Sequence, residues 1–152
     1  MTYSNKITSM CFMALVLIMG YSLSGMSGMN LQDRMAYAGK SDIIVLDNQS
    51  NQKFTPQKET KNHFNIKSTV PGTIEPGKSY TIKGDPSNLE HTGIVHLYYT
   101  YGKNYTAEFT SEFSPPFNTP HECSHKSGSS EISIGCSKEK GNEIKFTIKD
   151  AN

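Results

Sequence analysis

Gly93-Ile-Val-His-Leu-Tyr-Tyr-Thr-Tyr101 and Asn104-Tyr-Thr-Ala-Glu-Phe-Thr-Ser-Glu-Phe113, separated by Gly102-Lys103, are the stretch that decides the fold. In the second arm Tyr105, Ala107, Phe109 and Phe113 fall on one face, while Thr106, Glu108, Thr110 and Glu112 fall on the other. That is the period of a half-buried β-strand, because successive side chains of a strand point to opposite sides. The first arm sets Val95, Leu97, Tyr99 and Tyr101 against Ile94, His96 and Tyr98. Being less polar on both faces, it is expected inside a sheet. A glycine opening a two-residue connection predicts a type II′ hairpin.

The same period continues outward. Asp42-Ile-Ile-Val-Leu-Asp47 is an apolar run bounded by charges, expected as a central strand buried on both faces, and Asn62 to Lys67 alternates with Phe64 and Ile66 inward. Val70-Pro-Gly-Thr-Ile-Glu-Pro-Gly77 holds two Pro-Gly turns, in which proline presets the first turn residue and glycine takes the positive φ. Strands follow at Ser79–Lys83, Ser130–Ile134 and Glu143–Ile148, the last two divided by a turn at Lys140-Gly-Asn142. Ser114-Pro-Pro-Phe-Asn-Thr-Pro120 cannot continue a central strand, since proline has no N–H for the ladder, and is expected as an exposed loop. The fold class is therefore all-β: a two-sheet antiparallel β-sandwich of about seven or eight short strands with one disulfide.

The N-terminal part is a different kind of chain. All seven methionines lie at or before Met35, and the only arginine is Arg34. Lys6 precedes an apolar core, Met10 to Met19, whose ten residues suit the hydrophobic region of an export signal and would cross about half a bilayer. Ala36-Tyr-Ala38 supplies the small-x-small cleavage pattern. Residues 1–38 are thus expected to be a signal peptide and residues 39–152 the β-sandwich domain, with an earlier cut near Ser24 or Gly28, or an uncleaved anchor, as alternatives. The protein is expected to be secreted, or periplasmic in a Gram-negative source.

Export governs the cysteines. Cys123 and Cys136 are the only thiols after Cys11, and a pair in an oxidising compartment forms a disulfide, worth about 3 kcal/mol for so short a loop. Asn48-Gln-Ser50 and Asn104-Tyr-Thr106 are glycosylation acceptors if the source is eukaryotic.

From Gly39 onward there are thirteen lysines, thirteen carboxylates and no arginine, so no basic footprint for nucleic acid exists. No Gly-x-Ser-x-Gly elbow, phosphate-cradling glycine loop or His-Glu-x-x-His helix is present, and the acids are scattered. The residues point to a non-enzymatic binding protein without a cofactor. Candidate ligand-binding residues are the aromatic group Tyr98, Tyr99, Tyr101 and Tyr105 with Phe113, Ser114, Pro116 and Phe117, since tyrosine offers an apolar ring and a hydroxyl to a membrane interface or a sugar. The alternative for these residues is ordinary core plus a solvent-facing ladder. In His121-Glu-Cys-Ser-His125 two imidazoles, a carboxylate and a thiol could hold zinc or copper, with His121 and His125 as the metal ligands; a disulfide with solvated histidines is preferred. His96 reads as a packed strand residue, and His63 and His91 as surface residues.

Ala36-Tyr-Ala-Gly-Lys-Ser-Asp-Ile-Ile-Val-Leu-Asp-Asn-Gln-Ser50, Gly72-Thr-Ile-Glu-Pro-Gly-Lys-Ser79, Gly93-Ile-Val-His-Leu-Tyr98 and Gly141-Asn-Glu-Ile-Lys-Phe-Thr-Ile148 together resemble the run of strands in aegerolysins, small β-sandwich proteins that bind membrane lipids. Phe113-Ser-Pro-Pro-Phe117 is similar to the aromatic-Ser-x-Pro-aromatic stretch of actinoporins, whose pocket takes a choline headgroup. The resemblance implies a membrane lipid or other cell-surface ligand as partner, touched by Ser114, Pro116, Phe117 and the tyrosines. The chain departs from both families in having no tryptophan and in its cysteine pair. Removal of the leader would leave no amphipathic helix to line a pore, so the resemblance implies recognition of the membrane without unaided pore formation. A protein- or glycan-binding secreted effector is the remaining alternative.

Overall fold

The computed structural model describes residues 41–87, 91–114 and 119–152, so the leader expected over residues 1–38 lies outside the described residues. The described residues form nine strands: β1 Asp42–Asn48, β2 Thr55–Asn62, β3 Phe64–Ile66, β4 Lys78–Pro86, β5 Gly93–Tyr101, β6 Tyr105–Ser114, β7 Thr119–Ser127, β8 Ile132–Glu139 and β9 Glu143–Asp150. They make a five-stranded sheet, β3-β4-β1-β9-β8, and a four-stranded sheet, β2-β5-β6-β7. All pairings are antiparallel except β1 with β9, which is parallel. The expected all-β two-sheet architecture and disulfide are present.

The core fills the space between the sheets because alternation turns one side of each strand inward. Val95, Leu97, Tyr99 and Tyr101 of β5 and Ala107, Phe109 and Phe113 of β6 are buried with Ile44 and Leu46 of β1, Ile82 of β4 and Ile144, Phe146 and Ile148 of β9. Rings lock this layer. Tyr99 meets Phe109 edge-on at 6.1 Å, and Phe109 meets Phe146 edge-on at 5.3 Å, the arrangement the ring quadrupole favours. Phe64 stacks on Phe113 at 5.5 Å, and Gly84 beside it has no side chain because a Cβ there would strike the Phe64 ring.

The connection between β5 and β6 differs from the expected two-residue turn. Tyr101 pairs with Tyr105, which leaves Gly102, Lys103 and Asn104 in the loop, with Gly102 and Asn104 both at positive φ. Asparagine tolerates that region, so it closes the loop where most residues would be strained. β2 escapes the alternation rule altogether. All but Thr60 of β2 is exposed, so Thr55 to Asn62 has no apolar face to read. The chain then changes sheet at His63, whose φ is +50°, and only Phe64 to Ile66 joins β4. The segment Ser114 to Pro120 was expected to be loop; instead β6 runs to Ser114 and Thr119–Ser127 is a strand paired to it. Residues 115–118 lie outside the described residues.

Among the buried polar residues, Asn48 and Asp42 are fully enclosed. Asn48, fully buried, donates from Nδ2 to the carbonyls of Gln52 (2.8 Å) and Glu75 (3.2 Å) and accepts from the Ser50 N–H and hydroxyl, tying the end of β1 to two loops. An amide so enclosed has no room for a glycan. Asn104, by contrast, is exposed in its turn. Asp42 is buried opposite Gly84 with neither carboxylate oxygen hydrogen-bonded, and burial raises its pKa to about 8.

Cys123 of β7 and Cys136 of β8 are bonded, joining an edge strand of one sheet to an edge strand of the other. Reduction should lower the unfolding free energy by about 2–4 kcal/mol. Denaturant titration with and without reductant measures this, and an unchanged midpoint would contradict it. For Asp42 the unfolded chain releases its proton near pH 3.8 while the folded chain holds it to about pH 8. Between those values the folded state binds the extra proton, so stability is lost as pH rises, with a slope of up to about 1.4 kcal/mol per pH unit, and levels off above pH 8. Asp42→Asn should remove this decline and exceed wild type most at high pH. Parallel stability-against-pH curves for the two proteins would contradict the assignment.

Candidate functional site: an apolar cavity beside Tyr98 and Tyr99

Strand parity separates the aromatic residues that the sequence groups together. Tyr99, Tyr101 and Phe113 face inward and are buried, whereas Tyr98 faces outward and Tyr105 is half-buried. Tyr101 is held from both sides: Phe54 lies 5.0 Å from its ring, and its hydroxyl meets Ser127 Oγ at 2.6 Å and accepts from the Ser129 N–H at 3.1 Å. Tyr101 and Phe113 are therefore core residues. Distance separates the group as well. Tyr105 opens β6 and Ser114 ends it, so the tyrosine-rich turn and the Ser114 end lie about 30 Å apart along the strand. A single ligand-facing end containing all eight residues is not what these strands build. Ser114 is half-buried at the far end, and Pro116 and Phe117 lie outside the described residues.

Two of the eight do share a concavity. A cavity of about 310 Å³ opens between β2 and the Val70-Pro71-Gly72 turn, lined by Pro56 to Glu59 on one side and floored by Leu97, Tyr98 and Tyr99 of β5. It exists because β2 departs from a regular ladder. Register shifts between Pro56 and Lys58, making Gln57 the extra residue of a bulge, and a bulged edge strand bends away from its neighbour. The Tyr99 hydroxyl donates to the Pro71 carbonyl at 3.0 Å and fixes the far wall. Burial, with Glu59 adding to it, pushes the Tyr99 phenol up, so it stays a neutral donor. Val70 and Pro71 give the cavity one aliphatic side, and the exposed Lys58 and Glu59 bring opposite charges to the β2 side.

On the outer face of the four-stranded sheet, next to this cavity, Glu108 gathers a polar cluster. Lys126 Nζ donates to one carboxylate oxygen at 3.0 Å and the Tyr98 hydroxyl to the other at 3.3 Å, with His96 Nδ1 at 3.4 Å. The Lys126 hydrogen bond holds the Glu108 carboxyl below its usual range. His96 Nδ1 also lies 3.0 Å from Thr110 Oγ1. A hydroxyl, an imidazole and a carboxylate thus meet, but both partners use the same ring nitrogen, whereas a base that relays a proton is oriented through one nitrogen and acts through the other. The cluster braces Tyr98 over the sheet and has the geometry of a cross-strand network.

The two histidines expected as alternative metal ligands do not converge. His125 pairs opposite Phe109 and lies on the Cys123 side of β7, while Cys123 itself is in the disulfide. A bulge between Glu112 and Phe113 makes His121 an extra residue of β7 and carries it away from His125.

A second, polar depression of about 350 Å³ lies at the β5–β6 turn, lined by Gln52, Lys53, Thr55, Thr100, Tyr101, Gly102 and Asn104. The sequence marks Tyr98 and Tyr99 but not the rest of the apolar cavity, because β2 and the Val70 turn meet β5 only through long-range pairing.

The chain matches no family model and no curated protein. Among solved structures it is similar to the crystal structure of the lipid binding protein Nakanori, with a TM-score of 0.48 and 9% identity over 80% of this chain and 79% of that one.

Proposed function

We propose that this chain is an exported, non-enzymatic binding protein that takes part of a membrane lipid into the cavity beside Tyr98 and Tyr99. The observation that carries the reading is that cavity: about 310 Å³, lined by Val70, Pro71, Leu97, Tyr98 and Tyr99, with Gln57, Lys58 and Glu59 on its β2 side. Ligand pockets are mostly apolar with a few fixed polar groups, and this volume stands at their lower limit, enough for a headgroup and the adjoining carbons. Lys58 at the rim suits a phosphate, and the exposed edge of Tyr98 suits the membrane interface. The bonded cysteine pair supports an oxidising compartment and hence export.

A glycan is the second reading, favoured by the polar depression at the Gly102 turn, where amide, hydroxyl and ammonium groups surround the space.

Val70→Asp puts a carboxylate into the apolar wall at a half-exposed position, so the fold should survive by circular dichroism while lipid binding is abolished. Tyr98→Ala should weaken binding by about 1.5–3 kcal/mol, the burial value of a large side chain. Both are compared with wild type by sedimentation with vesicles of phosphatidylcholine, with and without an anionic lipid. No sedimentation of wild type on either composition, or equal sedimentation of all three proteins, sinks the lipid reading.

A further inference from the structure

We propose that Glu112, His121 and Glu122 form a three-ligand site for a divalent transition-metal ion, zinc being the best fit, on the outer face of the four-stranded sheet. One ligand atom from each residue lies within 4.8 Å of the other two. Ligands of a common zinc ion, bound at about 2.0–2.1 Å in a tetrahedron, stand roughly 3.3 Å apart, so small side-chain rotations bring the three onto one ion and leave a fourth position for water.

The backbone explains why these residues meet. Glu112 of β6 and Glu122 of β7 are direct cross-strand partners. In a regular strand His121 would point to the opposite face from Glu122. The bulge between Glu112 and Phe113 sets two β7 residues against one β6 position, which lets His121 and Glu122 share a side. The bulged segment is held on both flanks: Lys138 Nζ of β8 donates to the His121 carbonyl at 3.2 Å, and Cys123, the next residue after Glu122, is tied to Cys136.

Electrostatics point the same way. Like charges directly opposite on adjacent strands destabilise a sheet. Among the described residues the ion pairs go to Glu59, Glu75, Glu108, Asp47 and Asp85, and none to Glu112 or Glu122. A divalent cation between them would neutralise both. An imidazole nitrogen with two carboxylate oxygens suits zinc, whereas magnesium and calcium prefer oxygen alone. His125, on the Cys123 side of β7 and so opposite in parity to Glu122, has no part in the site.

The test is calorimetric titration of the untagged full chain with zinc chloride in a non-chelating buffer, repeated for His121→Ala, Glu122→Gln and His125→Ala, each checked by circular dichroism. The expected result is saturable binding of one ion, weakened at least about tenfold by His121→Ala and by Glu122→Gln and unchanged by His125→Ala. Should His121→Ala fail to fold, Glu122→Gln, at an exposed position, decides alone. No saturation by roughly 1 mM zinc in wild type, affinity unchanged by Glu122→Gln, or affinity lost in His125→Ala would each overturn the proposal.

Discussion

Register in the β5–β6 pair is the constraint that everything around it depends on. Side chains alternate strictly, so a slip of β5 by one residue would turn Val95, Leu97 and Tyr99 to the outside and drive His96 and Tyr98 into the core, against a β6 whose Phe109 still faces inward. The inward rings forbid that slip, because Phe109 is clasped between Tyr99 and Phe146 of the facing sheet. The outer cluster forbids it too, since Tyr98 and His96 reach Glu108 only in the observed pairing. Core and surface therefore specify one register between them. That register places Tyr98 and Tyr99 beside the β2 edge and Glu112 beside β7.

What the two sheets do at their edges then shapes the functional surfaces. β7 and β8 are edge strands of different sheets, and the Cys123–Cys136 bond closes that side. Among the described residues β2 is the other edge of the four-stranded sheet, and it carries Pro56, a bulge and two lysines, which are the usual means of discouraging edge-to-edge pairing. The same bulge opens the apolar cavity. A second bulge, against β6, turns His121 toward Glu122. Both candidate sites thus arise where one extra residue interrupts a ladder, which is where sheets re-aim side chains.

Legibility followed the same divide. Faces of β5 and β6, the central placement of β1 and the cysteine pair could be read because each is local: alternation within one strand, or a count of thiols. β2 and the His121 strand could not, because Thr55 to Asn62 and Pro120 to Lys126 are polar on both sides and give no period. The aromatic group was legible as a set of residues but not as a place. Four tyrosines close in sequence are distributed by parity to opposite faces, and Phe113 is about 27 Å from Tyr105 because a strand is extended. Gly102-Lys103 read as a two-residue turn because glycine at its start is the common signal, while the positive φ of Asn104, which makes the loop three residues, carries a weaker one.

The central claim is that the cavity between β2 and the Val70 turn is where the ligand sits. Amide NMR of the ¹⁵N-labelled protein titrated with a short-chain phosphatidylcholine, kept below its micelle concentration, tests it most directly. The account predicts saturable shifts at Gln57, Lys58, Glu59, Val70, Gly72, Tyr98 and Tyr99, with the amides from Gly102 to Tyr105 left in place. Shifts centred on the Gly102 turn, or none at any of these amides, would contradict it.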